Sequence, residues 1–284
     1  MVCTLRCASN VEKESEPELL EELKTFLSNL SAEEQKKFCN ETDDRGNTAI
    51  HHAVKAGNLE LCKELHKNGA SMNARGQHNM NPLQFAARYA DGKRPNDVWE
   101  CMKWIMDNLK QENEDIAFNV REKDKYNFSL LHHALHNTNR EQCLTVVEKL
   151  LETKHFGVTD TDKQGNTSLH LAAEFDKEEG HKILDIFLTK GKTSTEDVQE
   201  CVQTKNKQGR TPLHVACSVG NPVSVRQLLK AAKDVPSIIN KPDTEEKCPL
   251  HLAIQSGNLE VVKILKQHDA QVPETAIHCA VRYV

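Results

Sequence analysis

The sequence predicts an all-α fold, a solenoid of stacked helix-turn-helix units with short β-turn tips. Three observations predict it. The phrase QGRTPLHVACSVGN at residues 208–221 returns as QGNTSLHLAAEFD from Gln164 and as EKCPLHLAIQSGN from Glu246. Each copy keeps one order of turn residue, small polar residue, leucine, histidine and alanine, the mark of a single structural unit used repeatedly. Only 38% of the 284 residues are hydrophobic and 5% aromatic, thin material for one large core. A lone unit buries too few aliphatic side chains to offset the entropy of ordering it, so units must stack and share their interiors.

The elements follow in chain order. Residues 1–14 read as a flexible N-terminus and 15–40 as a helix pair capping the stack. In SEPELLEELKTFLSNL, Ser15 and Glu18 have capping-box spacing, and Leu19, Leu20, Leu23, Phe26, Leu27 and Leu30 trace one apolar stripe. Ser31 with Glu34 opens a second, short helix ending near Phe38.

Repeats fill residues 43–284, anchored at Thr48, Asn81, Ser129, Thr167, Thr211 and Cys248, with a partial unit at Thr275. Thr48, Ser129, Thr167 and Thr211 stand where a hydroxyl caps the free amides of a helix start. Pro82, Pro212 and Pro249 fit the first helical position, where a missing N–H costs nothing. Two residues before each anchor stand Gly46, Asn79, Asn127, Gly165, Gly209 and Glu246. All but Glu246 are types that tolerate positive φ. Ile50, Leu83, Leu131, Leu169, Leu213, Leu250 and Ile277, with the alanine three residues after each, share a buried helical face. Second helices begin near Asn58, Asn221 and Asn258, and Gly57 and Gly257 close the helices before them.

The interval from Thr48 to Asn81 is 33 residues, and 33 residues with T-P-L-H-x-A is the pattern of one repeat family. On these residues the chain resembles the ankyrin-repeat family over roughly residues 43–284. GNTAIHHAVKAGNLE, NDVWECMKWIMDN and FSLLHHAL are also similar to the cytoplasmic N-terminal arrays of TRPA-type cation channels, in particular the insect Painless branch.

Longer intervals carry insertions near 91–97 and 191–204. The first leads into a helix with Asp97 as its cap and Val98, Trp99, Met102, Ile105 and Met106 as its stripe. In the second, Val198, Cys201 and Val202 suggest a short extra helix. The repeat begun at Thr275 stops at Val284 before any second helix, which suggests a fragment of a longer array.

The remaining signals argue against chemistry. A formal charge of -5 with no basic block lacks the footprint of nucleic-acid binding. The N-terminus has no signal-peptide core and nowhere do 18 apolar residues run together, so a cytoplasmic chain without membrane contact of its own is expected. The ten cysteines then read as reduced thiols, with Cys62, Cys143 and Cys217 at core positions and Cys248 in place of a threonine. Cys3 and Cys7 alone do not make a zinc site.

Fourteen histidines invite a metal reading, but His51, His132, His170, His214, His251 and His278 each occupy the same position of a different repeat. A stack spaces them as rungs, and a role bonding turn backbone is expected. His52 and His133, one position later, are expected to face the groove. The GKTS at Gly191 has Ile186 where a phosphate loop needs glycine. No catalytic, cofactor or metal site is assigned and no enzyme is expected.

Function then falls to surfaces. The ankyrin resemblance implies that turn tips and first helices form a concave binding face. Arg45, His78, Tyr126, Gln164, Gln208 and Glu245 are its turn-tip candidates, and Lys55, Arg88, Tyr89, His136 and Phe175 its exposed first-helix candidates. Tyr89, Tyr126 and Phe175 are the expected anchors, since aromatics dominate interface energetics. Three readings stay open: a scaffold binding a protein partner, the cytosolic ankyrin domain of a TRPA-type channel, and a stand-alone inhibitor or adaptor of a signalling protein.

Overall fold

The computed structural model describes residues 16–112, 122–153, 158–175, 178–189 and 194–271. Sixteen α-helices and no strand occur among them; the β-turn tips contribute isolated bridges at Thr42 with Thr48 and Thr161 with Thr167. The chain divides into two compact units, Met1–Lys149 and Leu150–Val284.

The first unit opens with α1 (Glu16–Ser28) and α2 (Ala32–Cys39). Ser31 and Glu34 form the expected capping box, Glu34 Oε2 accepting from the Ser31 amide at 2.9 Å. Ser15 lies outside the described residues. Of the predicted stripe Leu27 is fully buried, and the Phe26 and Phe38 rings meet at 5.1 Å. Asn40 ties this pair to the first repeat: its Nδ2 donates to the Gly69 carbonyl and its Oδ1 accepts from the Ser71 amide.

Three repeats follow in this unit: α3 (Ala49–Ala56) with α4 (Leu59–Lys67), α5 (Pro82–Tyr89) with α6 (Pro95–Glu112), and α7 (Leu130–Leu135) with α8 (Arg140–Glu152), which runs on into the second unit. α5 packs between α3 and α7, because Ile50, Leu83, Leu131 and their partner alanines Ala53, Ala86 and Ala134 are all buried. Small residues at the crossing let the helices approach closely.

The second unit holds α9 (Ser168–Ala173) with α10 (Glu178–Thr189), then α11 (Thr195–Gln203). After it come α12 (Pro212–Val219) with α13 (Pro222–Ala231), α14 (Pro236–Ile239), and α15 (Pro249–Gln255) with α16 (Leu259–Gln267). α12 packs between α9 and α15, and α13 between α10 and α16, so first helices meet first helices and second meet second.

The repeat phrase starts its helices through a reciprocal box in which histidine takes the place usual for glutamate. His Nδ1 accepts from the anchor's own amide at 3.2 Å for Thr48–His51, 3.1 Å for Thr167–His170 and Thr211–His214, and 3.0 Å for Cys248–His251. The threonine hydroxyls lie 2.8 to 2.9 Å from the same Nδ1. The hydroxyl expected only to cap amides is therefore also locked to the imidazole. Pro82, Pro212 and Pro249 stand at first helical positions as predicted.

Several expectations need correction. Asp97 does not cap α6: the helix begins at Pro95 and Asp97 lies within its first turn, where a carboxylate meets the positive end of the helix dipole. Its stripe of Val98, Trp99, Met102, Ile105 and Met106 is buried as expected. His52 and His133 are buried rather than on the groove surface, 7% and 1% exposed, because each binds an inward-turned aspartate. The first-helix candidates Lys55, Arg88, Tyr89, His136 and Phe175 are all half-buried instead of exposed. α11 forms with Val198, Cys201 and Val202 buried. The partial repeat at Thr275, His278, Cys3 and Cys7 lie outside the described residues.

Candidate functional site

Register builds the candidate face. Lys55, Arg88 and His136 each stand seven residues after their anchors, and Arg45, His78 and Tyr126 three residues before them. Since α3, α5 and α7 pack in series, equal positions lie side by side. The first unit thus carries two columns, Lys55–Arg88–His136 on the helices and Arg45–His78–Tyr126 on the turns.

Aromatic rings join the columns. The Arg88 guanidinium lies 5.8 Å from the Tyr89 ring centre and 5.9 Å from that of Phe128, within cation–π range of both. Phe128 in turn lies 4.9 Å from His136 and 6.1 Å from Tyr126. Tyr126 meets His78 at 5.6 Å and carries Lys125 Nζ at 4.8 Å over its ring. Phe85 packs Tyr89 at 5.0 Å from beneath. Tyr126 is 41% exposed. Phe128 and Phe85 belong to this cluster and were not among the sequence candidates; their signal was an aromatic residue directly before the anchor Ser129 and another four residues after the anchor Asn81.

Below this layer the acids point inward. Asp43 Oδ1 accepts from the amides of Arg45 and Asn47, and its Oδ2 from His52 Nε2 at 2.9 Å. Asp124 Oδ1 likewise accepts from the amides of Tyr126 and Phe128, and its Oδ2 lies 3.3 Å from His133 Nε2 as an ion-pair contact. Burial alone would raise both carboxyls, but these donors outweigh it and hold each below the ordinary carboxylate value. Burial lowers the His133 pKa below the ordinary histidine value, against the pull of Asp124. His78 is lowered by burial and then by the Lys125 and Arg88 charges.

The remaining candidates belong to the second unit. Gln164, Gln208 and Glu245 are exposed turn tips. The Gln164 and Gln208 carbonyls accept from the amides of Lys207 at 2.8 Å and Thr244 at 2.9 Å, stitching successive turns together. Phe175 is half-buried and its carbonyl accepts from Asn221 Nδ2 at 2.5 Å.

Other chemistry has little to work with here. Burial pushes the Cys143 and Cys201 thiols up to about 12, so neither supplies a thiolate near neutral pH. Among the described residues no three His, Cys, Asp or Glu side chains gather as metal ligands, and no helix is long and apolar enough to cross a membrane.

Stacked helix pairs, positive-φ turn tips and the histidine-locked phrase define an ankyrin-repeat protein. A family model for ankyrin repeats matches residues 12–115 and 187–276 in three copies, more than half of the chain, and the chain belongs to that family. It is similar to inversin from Canis lupus familiaris, 26% identical over 182 residues, 64% of this chain and 15% of that protein. It is also similar to human transient receptor potential cation channel subfamily A member 1, 25% identical over 207 residues, 72% of this chain and 16% of the channel. The chain therefore spans about a sixth of the length of these relatives.

Proposed function

We propose that the chain is a protein-binding module and that its partner docks on the turn and first-helix face of the first unit. Ankyrin repeats are typically interaction modules. The observation supporting this particular face is the ring and cation cluster in which Arg88, Tyr89 and Phe128 are half-buried and Tyr126 is exposed, each packed against its neighbours. Rigid aromatics of this kind contribute contact area at low entropic cost. No catalysis enters this reading. Affinity purification with Tyr89→Ala and Tyr126→Ala tests it: each substitution should weaken capture of the principal partner at least about ten-fold, and unchanged capture by the double variant would remove the face from the proposal.

A second reading draws on the likeness covering 72% of the chain to the human channel. The chain would then be a cytosolic ankyrin domain of a TRPA-type cation channel, acting on the cytosolic side of a membrane through its partners. Sequencing the transcript past the Val284 codon decides it: an encoded transmembrane bundle supports the channel, and an immediate stop codon supports a stand-alone adaptor.

A further inference from the structure

Resting on the protein-binding reading of this face, we infer that it receives an acidic polypeptide segment. The chain as a whole is acidic, with a formal charge of -5, yet the two columns of the first unit have the opposite sign. Arg45, Lys55, Arg88 and Lys125 have no carboxylate within salt-bridge distance among the described residues. Arg88 goes further: its Nη1 is buried without a hydrogen-bond partner, a cost that an incoming acceptor removes.

The acids of the same turns cannot neutralise these cations. Asp43 and Asp124 are 6% and 1% exposed at the side chain; Asp43 spends its oxygens on the Arg45 and Asn47 amides and on His52, and Asp124 spends its Oδ1 on the Tyr126 and Phe128 amides while its Oδ2 faces His133 as an ion-pair contact. Glu122 is paired with Arg75. Asp44 is the exposed carboxylate left at these turn tips. At the same two register positions the second unit has Glu174, Ser218 and Gln255, then Gln164, Gln208 and Glu245, without a cation. The positive sign at these two positions is local to the first unit, whereas the position of Lys125, four residues before its anchor, is also lysine in the second unit at Lys163 and Lys207.

Geometry narrows the ligand. Arg88 and Lys125 lie over ring faces, which strips part of their hydration and strengthens a charge-assisted hydrogen bond to a carboxylate. Two parallel columns, one on turns and one on helices, offer alternating contacts to an extended chain carrying carboxylates and rings.

The test is fluorescence anisotropy of the full chain with three labelled probes: a glutamate–tyrosine copolymer, a lysine–tyrosine copolymer and an oligothymidylate. The glutamate copolymer should bind tightest, with affinity falling as salt rises. Lys125→Gln, at an exposed site, should weaken it about three-fold and Arg88→Gln about five-fold or more. Lys163→Gln should leave it unchanged.

Equal or tighter binding of the lysine copolymer overturns the inference, as does an oligothymidylate that binds as well and responds to the same substitutions. If copolymers of both signs bind alike and Tyr126→Ala abolishes both, the face stands and its charge preference falls. If Tyr126→Ala changes none of the probes, the face reading falls with it.

Discussion

At the scale of single residues, the imidazoles of His51 and His170 each carry two connections. His51 Nδ1 accepts from the Thr48 amide, and its Nε2 reaches the Met80 carbonyl of the next repeat at 3.2 Å. His170 does the same with Thr167 and with the Arg210 carbonyl at 2.9 Å. His51→Ala strands a buried amide and carbonyl together, and leaving such groups unpaired costs on the order of 2–4 kcal/mol. Urea denaturation checks this, and a loss well under about 1 kcal/mol would show that the two bonds contribute little. The sequence pointed to a structural role for these histidines, because one falls at the same place in every unit but the second, where Gln84 stands. It did not show that threonine and histidine form one box, although the three-residue spacing from Thr48 to His51 carries that signal. The second-helix asparagines hold a similar hidden connection: Asn258 Oδ1 caps its own helix while its Nδ2 donates to the Gly220 carbonyl of the preceding repeat at 2.7 Å. Register within one unit is readable from a sequence; which neighbour a side chain's second arm meets is not.

At the scale of elements, turn tips and helix ends set where each helix begins. Glu246 was the residue type that did not suit its turn, and it adopts φ +58° all the same, where its counterparts Gly165 and Gly209 sit at +80° and +72°. The stacked helices on either side override the local preference. Glu246→Gly should therefore stabilise the sixth repeat by about 0.5–1 kcal/mol, partly offset by the added freedom of the unfolded chain; a lower urea midpoint would contradict this. Gly57→Ala should act the other way. Its φ is +73°, and an added Cβ would fall 2.9 Å from the Val98 amide nitrogen and the Asp97 Cβ, so α6 would have to shift. Element existence was legible wherever apolar spacing ran through a full helix, as in α6 and α11. α14 was missed because its four residues, PSII, are too short to show a period. The start of α6 was misplaced because Pro95 is as good a first residue as Asp97 is a cap.

At the scale of the whole molecule, the candidate face was legible as a set of offsets but not as a surface, since Phe85 and Phe128 join it only through packing across repeats. The same repetition multiplies any property of the phrase, and its acid sensitivity is the clearest case. His51 and His214 have their pKa lowered from the ordinary 6.5 to about 4, chiefly by burial. The folded chain thus holds them neutral while the unfolded chain protonates them near 6.5. Between those values the unfolded state binds more protons, so stability is complete above about pH 6.5 and falls as pH drops toward about 4. Each histidine removes up to about 3 kcal/mol across that window. Asp43, Asp124 and Asp243, all held below the ordinary carboxylate value, extend the loss to lower pH. Urea midpoints measured from neutral pH down to about pH 4.5 should decline steadily, where a flat profile would contradict the burial of neutral imidazoles. His51→Gln separates titration from structure, because glutamine can close a capping box without taking a proton: its profile should be shallower than that of the unaltered chain, while His51→Ala should be both shallower and lower throughout.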